Sequence, residues 1–110
     1  MRKRLLILSL THTKNNLLKT FVIIWSKGKN FPSGKSFWNA PLEEHVNYIK
    51  TAFDTGTVIM AGPFADGESG MTIYNAADEV NANLFAQNDP EYKKGVLEYK
   101  ITEYKPLFKQ

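Results

Sequence analysis

Apolar residues fall into short β-branched runs and longer stretches of helical period, and the two kinds alternate along the chain. Phe21–Trp25 reads FVIIW, apolar on both faces of an extended segment, and predicts the first strand. Lys27–Asn39 is rich in Gly, Ser, Lys and Asn, contains Pro32, and predicts a loop. A helix is expected from Pro41, where proline suits the first turn and Glu43 and Glu44 suit the positive end of the dipole. Leu42, Val46, Ile49 and Phe53 recur at helical spacing as its expected buried stripe, and Gly56 is its natural stop. Thr57–Ala61 predicts a second strand, ended by Gly62-Pro63, and Met71–Tyr74 a third after the Asp66–Gly70 turn. Asn75 resembles a helix cap with Asp78 three residues on, and Ala77, Val80, Leu84 and Phe85 are expected to point inward. That helix should stop before Asp89-Pro90. Val96–Tyr104, after Gly95, predicts the fourth strand, and Pro106 ends regular pairing.

The order is β-α-β-β-α-β, an α+β arrangement of the split βαβ, ferredoxin-like kind. Two helices cover one face of a four-stranded sheet. Yet Val22 and Ile24 oppose Phe21, Ile23 and Trp25, so the first strand is apolar on both sides. Something must cover the second face. A second subunit packed sheet against sheet, hence a homodimer, is the simplest supply. An N-terminal extension folded over the sheet is the alternative.

Length and charge narrow the picture. The 110 residues hold one domain, expected over 20–106, with 1–19 as a leader and 107–110 as a tail. The absence of cysteine excludes disulfides, zinc thiolates, iron–sulfur clusters and thiol nucleophiles. The net charge of +3 belongs to the leader: residues 1–19 carry five of the 14 basic groups and none of the 11 acidic ones. The body is thus slightly acidic, and no nucleic-acid partner is expected. The leader opens on Arg2, Lys3 and Arg4 before the apolar run Leu5–Leu10, like the start of an export signal. That run is short, lacks a small-x-small cleavage site and is soon followed by His12 and Lys14. A cytoplasmic protein is expected, an exported one if Met1–Lys19 acts as a signal. No stretch is long enough for a transmembrane segment. With two histidines and neither HxH nor HExxH, no metal site is expected, and no cofactor is called for.

Chemistry is concentrated in few residues. Gly34-Lys35-Ser36 looks like the end of a phosphate loop, but the glycine that such a loop needs five residues earlier is Lys29. A basic flap closing over an anionic ligand is the stronger reading, with Lys27, Lys29 and Lys35 as charge and Phe31, Phe37 and Trp38 as apolar contacts. Alternatively, Phe37 and Trp38 pin the loop to the domain. His45, beside Val46 on the first helix, should sit at the edge of the buried face and could move one proton. Asp89 could orient it, although Asp before Pro is also an ordinary helix-end pair. Asp66 and Glu68 are alternative partners. Ser26 is a polar group near an open sheet end, without the G-x-S-x-G elbow of a nucleophile. Gly62 would admit close backbone approach and Pro63 hold the turn open.

FVIIWSKGKNFPSGKSFW, PLEEHVNYIKTAFDTGTVIMAGPFADGESGMTIYNA and DPEYKKGVLEYKI together resemble the YCII-related (YciI-like) family over about Phe21 to Pro106. The most specific parts are His45 followed by AGPF, and DP followed by Gly95. The resemblance implies a ferredoxin-like subunit paired into a dimeric α+β barrel. It implies a catalytic His45 with Asp89; the residues themselves add Ser26, Lys35, Trp38, Gly62 and Pro63 as the expected small-molecule contacts. It further suggests acid–base work on small lactones or dienes; with the Lys-rich loop, the expected substrates are lactones or similar carboxylate-bearing metabolites, and a non-catalytic ligand-binding or structural dimer is the alternative. The chain departs from the family at Glu91 and at the Tyr104-Lys105-Pro106 ending.

Overall fold

The computed structural model describes residues 18–110. Residues 1–17 lie outside the described residues, and with them the expectations for an export signal and for an extension over the sheet. The elements are β1 (Lys19–Lys27), α1 (Glu43–Asp54), β2 (Val58–Pro63), β3 (Ser69–Ala76), α2 (Glu79–Gln87), α3 (Pro90–Lys93) and β4 (Leu97–Tyr104). The sheet runs β2-β3-β1-β4 and every pairing is antiparallel. Among the described residues no helix is long and apolar enough to cross a membrane.

The mixed α+β order matches the hydrophobic pattern, but the expected dimeric α+β barrel is not formed. β2 and β4 are the ends of the strand order and do not pair with each other. The sheet is open. Four strands of six to nine residues cannot curl far enough to meet, since small closed barrels take about eight strands.

Three local expectations also change. β3 runs on to Ala76, so Asn75 lies in the sheet, opposite Thr20, and Asp78 is the true cap of α2, accepting from the Asn81 amide at 2.9 Å. Asp89-Pro90 does more than end α2: it starts α3, with Asp89 as cap and Pro90 in the first turn, where a missing N–H costs nothing. The buried stripe of α1 is rotated. Leu42, Ile49 and Ala52 are buried, whereas Val46 and Phe53 are more than half exposed. In α2, Ala82 and Ala86 face inward, and Val80 and Leu84 face out.

Both helices therefore place small residues against the sheet and can approach it closely. The core forms between them and the sheet face that carries Ile23, Trp25 and Leu97. The opposite face carries Val22, Ile24, Met71 and Ile73, half-buried within the single chain, and Met60, which is exposed.

Candidate functional site

The rotation of α1 carries His45 inward, onto the same side as Leu42, Ile49 and Ala52. The imidazole side chain keeps only 14% of its accessible surface. The Trp25 ring meets it edge-on, with centroids 4.9 Å apart and planes at 75°. His45 Nδ1 lies 2.5 Å from Oδ2 of Asp89, whose side chain is fully buried. The other carboxylate oxygen of Asp89 accepts the Glu91 amide at 2.9 Å, the cap of α3. The Asp-Pro helix-end role and the histidine-orienting position thus belong to one side chain. A buried carboxylate is costly unless hydrogen-bonded and paired, and both oxygens of Asp89 have partners.

The contact with Asp89 engages Nδ1, so Nε2 is the ring nitrogen not committed to Asp89. Asp66 and Glu68, the other candidate partners, are engaged elsewhere, Asp66 within the β2–β3 turn and Glu68 with the end of β1. Asp66 accepts the Glu68 amide at 3.0 Å, and Glu68 pairs with Lys27 at 3.1 Å.

Beside His45 lies a cavity of about 690 Å³, within the roughly 300–1,000 Å³ span of small-molecule sites. Trp38, Gly62 and Pro63, expected from sequence to contact a ligand, line it together with His45. Ser26 and Lys35 do not join them. Ser26 is exposed one position beyond the inward Trp25, so strand alternation turns it to the other face. Lys35 is exposed on the β1–α1 loop. A Cβ at Gly62 would meet nothing within 4 Å, so no neighbour there requires glycine.

The loop is pinned to the domain rather than free. Phe37 is buried, stacks on Phe31 at 5.4 Å, and its amide donates to the Gly67 carbonyl at 2.7 Å. Gly67 has φ +73°, and a Cβ there would lie 2.9 Å from Trp38 Cδ1, so both backbone and space require glycine.

Sequence reasoning did not find Thr72, Trp25 or Tyr48. Thr72 is buried on β3, lines the cavity, and accepts the Trp25 indole N–H at 3.0 Å. Its one legible signal was a polar residue at an inward position of an apolar strand. Tyr48, one turn from His45, donates to the Phe85 carbonyl at 2.9 Å. Burial, then the nearby Asp89 charge, push its hydroxyl pKa up to about 12, so it remains a donor across the neutral range. Among the described residues no group of three or more His, Cys, Asp or Glu side chains could hold a metal ion.

The family's sequence profile matches residues 21–105, from the second residue past Lys19 to the end of β4 and one residue on. The chain belongs to the YCII-related domain family. No curated protein and no solved structure matches it. Within this YCII-related domain the matched span includes His45, Asp89 and every residue lining the cavity.

Proposed function

We propose that this YCII-related protein is a small-molecule enzyme in which His45 acts as general acid and base. The observation that carries the reading is the 2.5 Å contact of His45 with fully buried Asp89, on the wall of a ligand-sized cavity. Asp89 holds the imidazole in one tautomer and orientation, and Nε2 takes a proton from an activated carbon or hydroxyl and returns it elsewhere. Small lactones and related carbonyl compounds are the proposed substrates: their α-hydrogens are only weakly acidic, and imidazole moves one where a hydrogen-bond donor such as the Thr72 hydroxyl on the cavity wall stabilises the developing enolate oxygen. Proton transfer of this kind uses only the chain's own residues.

Exchange of lactone α-hydrogens with deuterated water, followed by proton NMR, tests this. His45→Gln should slow exchange at least about 100-fold while the circular dichroism spectrum stays native. Exchange at the wild-type rate in a folded His45→Gln protein would remove His45 from catalysis.

A second reading has its own observation. The sheet face away from the helices carries Val22, Ile24, Met60 and Ile73, where a solvated antiparallel sheet would carry polar residues. This supports a homodimer joined through that face, whether or not the cavity is catalytic.

A further inference from the structure

We infer that the cavity selects an uncharged cyclic carbonyl compound over its carboxylate counterpart, with Trp38 as the stacking face and Thr72 as the donor to the carbonyl oxygen. The inference rests on the reading of this cavity as the small-molecule site of His45 and narrows the ligand it takes.

The walls are mostly apolar: Trp25, Phe37, Trp38, Leu42, Ile49 and Pro63. Only two formally charged side chains line them besides His45, namely Glu43 and Lys50. Lys50 is already bonded to Asp54 at 2.8 Å. Behind His45, the Asp89 charge faces the imidazole and no second cation. The remaining lysines near the loop and α3 are elsewhere. Lys27 pairs with Glu68, Lys94 pairs with Glu44 and Glu91, and Lys29, Lys35 and Lys93 are exposed. A carboxylate entering this cavity would lose water against apolar walls and meet the Glu43 carboxylate, with no arginine fork to receive it. An uncharged ring bears none of these costs.

Two features give such a ring its place. Trp38 is 61% exposed although it lines the cavity, and its indole N–H reaches the Ala65 carbonyl at 3.4 Å. Its edge rests on Gly67. An indole held by its edges at a cavity mouth offers its face, and flat rings stack on such a face in offset geometry. Thr72 accepts from Trp25, which leaves its own O–H hydrogen, and among the described residues that hydrogen has no side-chain or backbone acceptor. A carbonyl oxygen bonded there lies beside the same Trp25 ring that His45 touches.

The chain's two tryptophans, Trp25 and Trp38, both line the cavity, so their indole N–H resonances report binding directly. The full chain, labelled with nitrogen-15, is titrated with phthalide, a neutral lactone. It is then titrated with 2-(hydroxymethyl)benzoate, the carboxylate that phthalide becomes when its ring opens. Phthalide should shift both indole signals and bind at least about tenfold more tightly than the carboxylate. Trp38→Ala and Thr72→Val should each weaken phthalide at least about fivefold while leaving the protein folded. Glu43→Gln should narrow the gap between the two ligands.

Equal or tighter binding of the carboxylate overturns the inference, as does the absence of any indole shift with phthalide. Neither result touches the His45 reading, which the exchange experiment decides separately. Phthalide has no hydrogen α to its carbonyl, so exchange is read on a lactone with an α-methylene such as 2-coumaranone; phthalide binding with no His45-dependent exchange of 2-coumaranone would sink the enzyme reading and leave the charge preference standing.

Discussion

Asp89 is the residue on which local structure and candidate chemistry converge. Replacing it with Ala removes the α3 cap and the partner of a mostly buried imidazole together. The expected loss is about 3–5 kcal/mol, read as a lower urea midpoint. Asp89→Asn keeps a good cap residue and the side-chain shape, so its loss should be clearly smaller while its effect on proton exchange remains large. Equal urea midpoints for the two variants would show that the cap contributes nothing. Tyr48 supplies a pH test. Its folded pKa of about 12 lies above the ordinary tyrosine value, so the folded state holds the proton more tightly than the unfolded chain. That stabilisation is complete below pH ~10 and is lost as pH rises toward ~12. The melting temperature should fall across that window, and less steeply in Tyr48→Phe. Tyr74, also raised by burial, and Lys94, raised by its hydrogen bond to Glu44, contribute to the residual slope.

The helices show how period and packing divide the work. Leu42, Val46, Ile49 and Phe53 form one acceptable stripe; Leu42, His45, Ile49 and Ala52 form another. Both fit 3.6 residues per turn and share two members, so periodicity alone does not choose between them. Packing chooses the second. Ala52 lets α1 lie close to the sheet, and the turn toward the core gives His45 its bond to Asp89. The same logic puts Ala82 and Ala86 under α2 and leaves Val80 and Leu84 outside. Ile49→Ala should therefore cost about 2–5 kcal/mol in urea unfolding. Val46→Ser and Phe53→Ser, in a monomeric reference state, should each stay within about 0.5 kcal/mol. A large loss at Val46 or Phe53 would mean that another surface covers them.

At the scale of the whole molecule, one sheet face is occupied by helices, and the other carries an apolar patch on β1, β2 and β3, bordered by Glu98, Lys100 and Thr102 of β4, without a cover among the described residues. Large apolar side chains gain roughly 1.5–3 kcal/mol each when fully buried, so Val22, Ile24, Met60 and Ile73 hold enough area to drive self-association. Sedimentation velocity should find a dimer at low micromolar concentration, and Ile24→Lys should shift it to monomer without unfolding it. A wild-type protein that sediments as a monomer there would refute the homodimer.

Much of the architecture was legible because strand and helix periods are local. FVIIW, the Gly56 stop and the Gly62-Pro63 break mark elements whose boundaries depend on neighbours a few residues away. His45 and Asp89 were legible as candidates because imidazole, and a carboxylate before proline, have few roles. Their pairing was not. The two residues are 44 positions apart, and Asp66 and Glu68 were chemically equal partners until the β2–β3 turn engaged Asp66 and the end of β1 engaged Glu68. Which side of α1 faces inward, that Trp25 stands beside the imidazole with Thr72 bonded to its indole, and that four strands leave an open sheet were decided by tertiary packing. The sequence determined which residues can do chemistry and which segments are regular. Only the folded chain decided which of them meet, because burial and close approach are settled between elements and not within them.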